Sequence, residues 1–166
     1  MTAVAPELPE DFDRDSAPVP SAEDGYVQFI DGDSLIHLAE KSDLLVRVEQ
    51  RPGKYVVAGS PLIRAWPADR VGEGLADQVN KAFALGHQRT HGQDVEFAIN
   101  QLIEVAARAL SPGVNEPFTA IGCVDRLGAS MCRLARRKTP SPYRRDDSGN
   151  LRVIAQPVTF AGLVDV

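Results

Sequence analysis

Aromatic residues are scarce in this sequence, at 6% of 166 positions, so a core must be built mainly from aliphatic side chains. Cysteine is scarcer still, with Cys123 and Cys132 the only two. On one helix, nine residues apart, they stand roughly 13 Å apart along the axis and about half a turn around it. A disulfide needs Cα atoms within roughly 7 Å, so they do not bridge within that helix. Two thiols without a disulfide framework point to a reducing compartment. No stretch approaches the roughly 18 consecutive apolar residues of a membrane span. The N-terminus has neither the basic nor the apolar region of a signal peptide. A cytoplasmic or membrane-peripheral location is therefore expected, without a transmembrane segment in this chain. Walker loops, dinucleotide fingerprints and GxSxG elbows are also missing, so no cofactor is expected and no catalytic residue is named.

What is present is ordinary for a globular chain: 43% apolar and 25% charged residues, enough length for a self-sufficient core. The formal charge of −5 is unevenly placed. Residues 1–24 hold seven acids against the single base Arg14, which leaves the remainder near neutral. That balance gives no basic footprint for a nucleic-acid partner. Pro6, Pro9, Pro18 and Pro20 lie among those acids, and the composition predicts a disordered acidic tail over 1–24.

From Gly25 the pattern changes. "GYVQFID" alternates as a strand. "DSLIHLAEKS" places Leu35, Ile36, Leu38 and Ala39 on a helical stripe, with Asp33 or Ser34 as cap. "DLLVRVEQ" alternates again. "RPGK" predicts a type II turn, Pro52 presetting φ and Gly53 supplying a positive one. "YVVAGSPLIRAW" predicts two short strands broken at Gly59–Ser60. Residues 25–67 thus read as a β-rich unit with one short helix, half-barrel or hammerhead-like. Residues 68–166 read as a helical unit with a short C-terminal strand: a helix over Ala68 to Leu85, then two helices, a loop at "TPSPYRRDDSGN", a strand at "LRVIA" and a starting helix at "TFAGLVDV". The fold class is α+β.

The strongest helix is "QDVEFAINQLIEVAARAL", where Val95, Ala98, Ile99, Leu102, Val105, Ala106, Ala109 and Leu110 repeat at three- and four-residue spacing. Pro112 and Gly113 end it, and Pro117 opens the next helix, which runs to about Arg137. Between them stands "RALSPGVNEPFTA". Local roles account for its polar residues: Asn115 or Glu116 as cap, Thr119 bonding back in the first turn, Ser111 reaching the last carbonyls. A second reading uses the free N–H groups of the helix start as a polar-ligand or anion site. Its candidate residues are Asp94, Gln101, Ser111, Asn115, Glu116 and Thr119.

The stretch "QDVEFAINQLIEVAARALSPGVNEPFTAIGCVDRL", preceded by "GYVQFID" and "RPGKYVVAGSPLIRAWP", resembles the domain of unknown function 2254 family of bacterial proteins, over about Gly25 to Val166. The resemblance implies a membrane context, because similar members carry N-terminal membrane helices before a region like this one. It implies no reaction. It also implies aspartate where this chain has Glu116. The β unit is similar in outline to the half-barrel of biotinyl and lipoyl carriers, but its Lys54 stands at a turn corner without a carrier's flanking residues.

Two further constellations have structural readings. His87, His91 and Asp94 fall at i, i+4 and i+7, yet Gly86 and Gly92 interrupt any helix there and no metal is expected. Arg133, Arg136, Arg137 and Lys138 lie at a helix C-terminus, where the dipole favours cations. With the implied membrane context they are also candidates for contact with an anionic lipid surface. The apolar helix faces exceed what one hairpin can cover. The sequence therefore predicts a non-catalytic interaction or sensory module that self-associates or docks on a membrane-bound partner. The alternative is a small-ligand or anion binder, with or without a reaction, at the Ser111–Thr119 junction.

Overall fold

The computed structural model describes residues 8–164 of the chain, which form an α+β structure of two compact units. The first runs to Gln88 and takes up Ser141–Gln156; the second is Arg89–Pro140 with the segment from Pro157 onward. The helical hairpin is therefore an insertion within the β unit's sequence, not its C-terminal neighbour. This corrects the division at residue 68, since everything from 68 to 88 and from 141 to 156 belongs with the strands.

The first unit opens with α1 (Phe12–Asp15) and β1 (Ala17–Pro20), then β2 (Gly25–Ile30), α2 (Gly32–Lys41), β3 (Leu45–Val48), β4 (Tyr55–Val56) and β5 (Pro61–Trp66). After a 3-10 turn at Ala68–Arg70 come α3 (Glu73–Ala82) and β6 (Phe83–Gly86). The chain returns with β7 (Tyr143–Arg145) and β8 (Leu151–Ile154). Five strands form one sheet in the order β1-β5-β3-β8-β7, and three form another in the order β4-β2-β6. The main core gathers Val27, Leu35, Val46, Leu62, Ile63 and Val79, all nearly inaccessible to solvent, so aliphatic packing does carry the fold.

Residues 12–20 correct the expected tail. Phe12 is only 2% exposed and packs with Leu45 and Ile154, while Val19 joins the main core. The Arg47 guanidinium lies 5.0 Å from the centre of the Phe12 ring and pairs with Asp13 at 2.8 Å. Pro18 and Pro20 are compatible with a strand because β1 lies at the sheet edge, where a missing N–H donor is tolerated. The part of the expected tail before residue 8 lies outside the described residues.

Three other expectations are corrected. Asp31, rather than Asp33 or Ser34, caps α2: its carboxylate accepts from Ser34 N at 3.1 Å and from Ser34 Oγ at 2.7 Å. The helix expected over 68–85 stops at Ala82, because buried Phe83 begins a strand that pairs antiparallel with β2. The loop expected at 139–150 contains β7, which pairs with β8 across a turn whose Gly149 has φ 86°. The "RPGK" turn forms as expected, with Gly53 at φ 87° and Lys54 N donating to Arg51 O at 3.2 Å. The break at Gly59–Ser60 separates β4 from β5 as expected.

The returning strands are held by charge. β8 pairs parallel with β3, setting Val153 beside Val46 and Ile154 beside Arg47. Arg152 donates to Asp146 at 2.7 Å and to Asp43 at 2.9 Å, and Asp43 also accepts from Arg70 at 2.6 Å. Asp146, whose side chain is fully shielded, additionally accepts from Asn150 N at 2.8 Å. Arg152 holds both carboxyls below the ordinary aspartate range, with help from Arg70 at Asp43 and from Asn150 at Asp146. A depressed carboxyl contributes stability above its unfolded value, near about pH 3.9, and that contribution is lost as pH falls through the folded value. The urea midpoint should therefore decline as pH drops below about 4. Asp146→Asn should lower the neutral-pH midpoint and flatten that decline, as read by denaturation series from acid to neutral pH.

Candidate functional site

The second unit contains α4 (Val95–Ala109), α5 (Pro117–Ala135) and the short α6 (Phe160–Val164). The Pro112–Gly113 break turns α4 back on α5, and the two helices pack against each other as the apolar periodicity predicts. The joint is built from backbone closure. Leu110 N reaches Ala106 O at 3.1 Å, and Ser111 Oγ donates to Arg108 O at 2.7 Å. Asn115 adopts φ 50°, a left-handed conformation that asparagine tolerates better than most residues, and its N–H bonds Ser111 O at 2.9 Å. Glu116 is the N-cap of α5, and its N–H returns to Ala109 O at 2.8 Å. Its carboxylate makes no capping bond to backbone and instead accepts from Thr119 Oγ1 at 3.1 Å.

Asp94 and Gln101 are placed elsewhere. Asp94 caps the start of α4, accepting from Phe97 N at 3.0 Å, and its buried carboxylate receives both Nε and Nη2 of Arg89 at 2.8 and 3.0 Å. The fifteen residues of α4 put about 22 Å between that cap and the joint. Gln101 Oε1 lies 2.5 Å from His91 Nε2 on the exposed side of the helix. The six candidate ligand residues thus form two local groups at opposite ends of α4, with Gln101 between them. Of the expected histidine–aspartate trio, His91 is turned to Gln101 and Asp94 to Arg89. Among the described residues no group of three or more His, Cys, Asp or Glu side chains stands close enough to hold a metal ion.

The feature that dominates this unit is apolar. Phe118 is 86% exposed, Leu110 63%, Val124 62% and Ile121 54%. Ile103, Val105 and Val114 are also exposed. Ala120 and Cys123 are buried on α5, as are Ile99 and Ala109 on α4. At the other end of the hairpin, Arg133 and Arg137 border a shallow groove floored by Ala98, Leu102, Leu127 and Leu134. Arg136 caps α5 and Lys138 follows it, so the basic run stands at the C-terminus that the dipole argument assigns to it. In the first unit, α2 and α3 border a polar depression lined by Asp33, His37, Lys41 and Lys81. Sequence reading passed over that depression, because its residues belong to two helices joined only by tertiary packing.

Comparison with known proteins places this hairpin in a wider group. The family described as "Predicted membrane protein (DUF2254)" matches residues 2–166. The chain belongs to this family. An uncharacterized protein of Mycobacterium bovis and one of Mycobacterium tuberculosis are each 34% identical to it over 149 residues. That alignment covers 87% of this chain and 29% of either relative, so the chain spans under a third of the length of these curated relatives. No solved structure matches it. Among the described residues of this family member, no helix is long and apolar enough to cross a membrane.

The two polar groups have distinct energetic signatures. Asp94→Ala removes a cap and leaves the partly buried Arg89 without its carboxylate, and should cost about 2–4 kcal/mol. Asn115→Ala forces a left-handed alanine and should cost about 1 kcal/mol, whereas Asn115→Gly should stay within about 0.5 kcal/mol of wild type. Chemical denaturation of the three variants checks both. Equal losses for the two Asn115 variants would show that its side chain, not its backbone angle, matters.

Proposed function

We propose that this chain is a non-catalytic interaction module of a membrane-protein family, and that the α4–α5 hairpin is its docking element. The single observation carrying this reading is the exposed apolar row around Phe118, Ile121 and Val124. Scattered apolar residues on a surface need no explanation, but a contiguous row along one helix marks a surface that is covered in use. The polar residues of the joint support the same reading. Ser111 Oγ and the Asn115 N–H are bonded to backbone, and Glu116 and Thr119 to one another, so these groups already have partners within the joint. A sensory role would operate through the same face, by changing what covers it.

The test is photocrosslinking in cells, with p-benzoylphenylalanine replacing Ile121 and, as a control, replacing Gln101 on the opposite side of α4. Docking through this face is expected to give a discrete protein adduct from position 121 and none from 101. Equal labelling from both positions, or adducts to lipid alone from 121, would remove the docking reading.

A further inference from the structure

The groove between α4 and α5 combines two kinds of chemistry. Its floor is aliphatic: Ala98 and Leu102 from α4, Leu127 and Leu134 from α5. Its polar lining is Arg133 and Arg137 at one end and the half-buried Ser130 beside them. The hairpin's other paired arginines are used locally, Arg89 with Asp94 and Arg108 with Glu104. Among the described residues, Arg133 and Arg137 have no carboxylate partner. They are four residues apart, so they stand one above the other on the same face of α5. The groove residues of α5 centre about half a turn around the helix from Phe118, Ile121 and Val124, which makes this a separate surface from the docking row.

We propose that this groove binds one unbranched alkyl chain ending in a carboxylate, a medium-chain fatty acid anion. The tail lies on the aliphatic floor, where it leaves water at about 0.8 kcal/mol per buried methylene. The carboxylate takes N–H donors from Arg133 and Arg137, whose guanidinium forks match its two oxygens. Size sets the tail length. From Leu127 to Arg137 helix α5 rises about 15 Å, and the groove encloses about 280 Å³. At roughly 30 Å³ for a group the size of water, that is room for about nine methylenes. One chain of roughly eight to ten carbons fits, and a two-chain lipid does not.

A peptide fits the pattern less well. An extended strand brings backbone N–H and C=O groups that need partners. The groove walls are helices, whose interior backbone groups are already bonded along the helix, and Ser130 is the single hydroxyl on offer. A docked helix would satisfy its own backbone but would run along the whole flank. Toward the joint, helical phase places Gln101 and Arg126 on that flank, so the apolar stretch ends after a few turns. An alkyl carboxylate needs polar partners at its head alone, which is where the groove supplies them.

Isothermal titration of the whole chain with octanoate tests the assignment. Saturable binding of one octanoate per chain is expected, with a dissociation constant below about 1 mM. Octanol, which lacks the charge, and acetate, which lacks the tail, should each bind at least about tenfold more weakly. The double variant Arg133→Gln/Arg137→Gln should weaken octanoate about tenfold or more, leave octanol unchanged and keep the urea midpoint of the wild type. Arg126→Gln, a base outside the groove, should alter neither ligand. Absence of saturation, equal affinity for octanoate and octanol, or indifference to the double variant would each overturn the proposal. So would association with phosphatidylglycerol vesicles that the double variant abolishes while octanoate fails to bind, an outcome that gives the arginines to a lipid surface. None of these outcomes involves position 121, so the docking reading is decided separately by its own crosslink.

Discussion

The parallel pairing of β8 with β3 is the constraint on which the architecture depends. A parallel partner cannot follow through a tight hairpin, so the chain must travel before it can return. Here the journey, from Gln88 to Ser141, is the helical hairpin itself. The returning strand brings Val153 and Ile154 into two separate apolar clusters, one on each face of β3. It also brings Arg152 between Asp43 and Asp146, so a cation with little solvent exposure arrives with two carboxylates already in place. Removing Arg152 would leave the shielded Asp146 carboxylate without its cation, which is costlier than never having placed it there. The ladder has only two paired positions, and the arginine clasp and packing on both faces make it secure.

The two units solve the burial problem differently. The strand-bearing unit closes its own core, with sixteen buried side chains in one cluster. The hairpin unit buries only a few apolar residues and leaves one of its phenylalanines, Phe118, in water. Apolar area exposed in this way costs free energy in an isolated chain, at roughly 25 cal/mol per Å². The row left exposed along α5, Phe118, Ile121 and Val124, is the feature on which the docking proposal rests.

What could be read from the sequence follows from how local the determining interactions are. The helices α4 and α5, their break at Pro112–Gly113 and the turn at Pro52–Gly53 rest on contacts within a few residues, and each was evident from spacing alone. The ordered N-terminal segment was hidden because its low average apolarity masks two anchors, Phe12 and Val19, whose partners Ile154 and Ile63 lie far along the chain. β6 was hidden for a related reason. Phe83 and Leu85 continue a helical stripe as easily as they begin an alternation, and only pairing with β2 decides between the two. β7 fell in a segment rich in turn residues, and its strand character comes from β8 alone. The cap of α2 was displaced by two residues because Asp31, Asp33 and Ser34 are all competent caps; the backbone angle at Asp31 decides it. Of the candidate site, the bond of Ser111 to the last carbonyls and the N-cap place of Glu116 were foreseeable, whereas Thr119 turns to the Glu116 carboxylate rather than to free backbone. The separation of Asp94 from them follows directly from helix length.

Glu116 shows why the joint is better understood as closure than as chemistry. The family resemblance implies aspartate at this position, and an aspartate in the N-cap place has the reach to accept the N–H groups of the first turn. Glutamate is one methylene longer, and here it makes no backbone capping bond, its carboxylate turning to the Thr119 hydroxyl instead. A group that positions a substrate or moves a proton must be held to within about 0.5 Å, so this exchange would displace it from its task. A cap only needs negative charge near the positive end of the helix, and glutamate still provides that. The exchange therefore suits a structural carboxylate better than a geometrically exacting one.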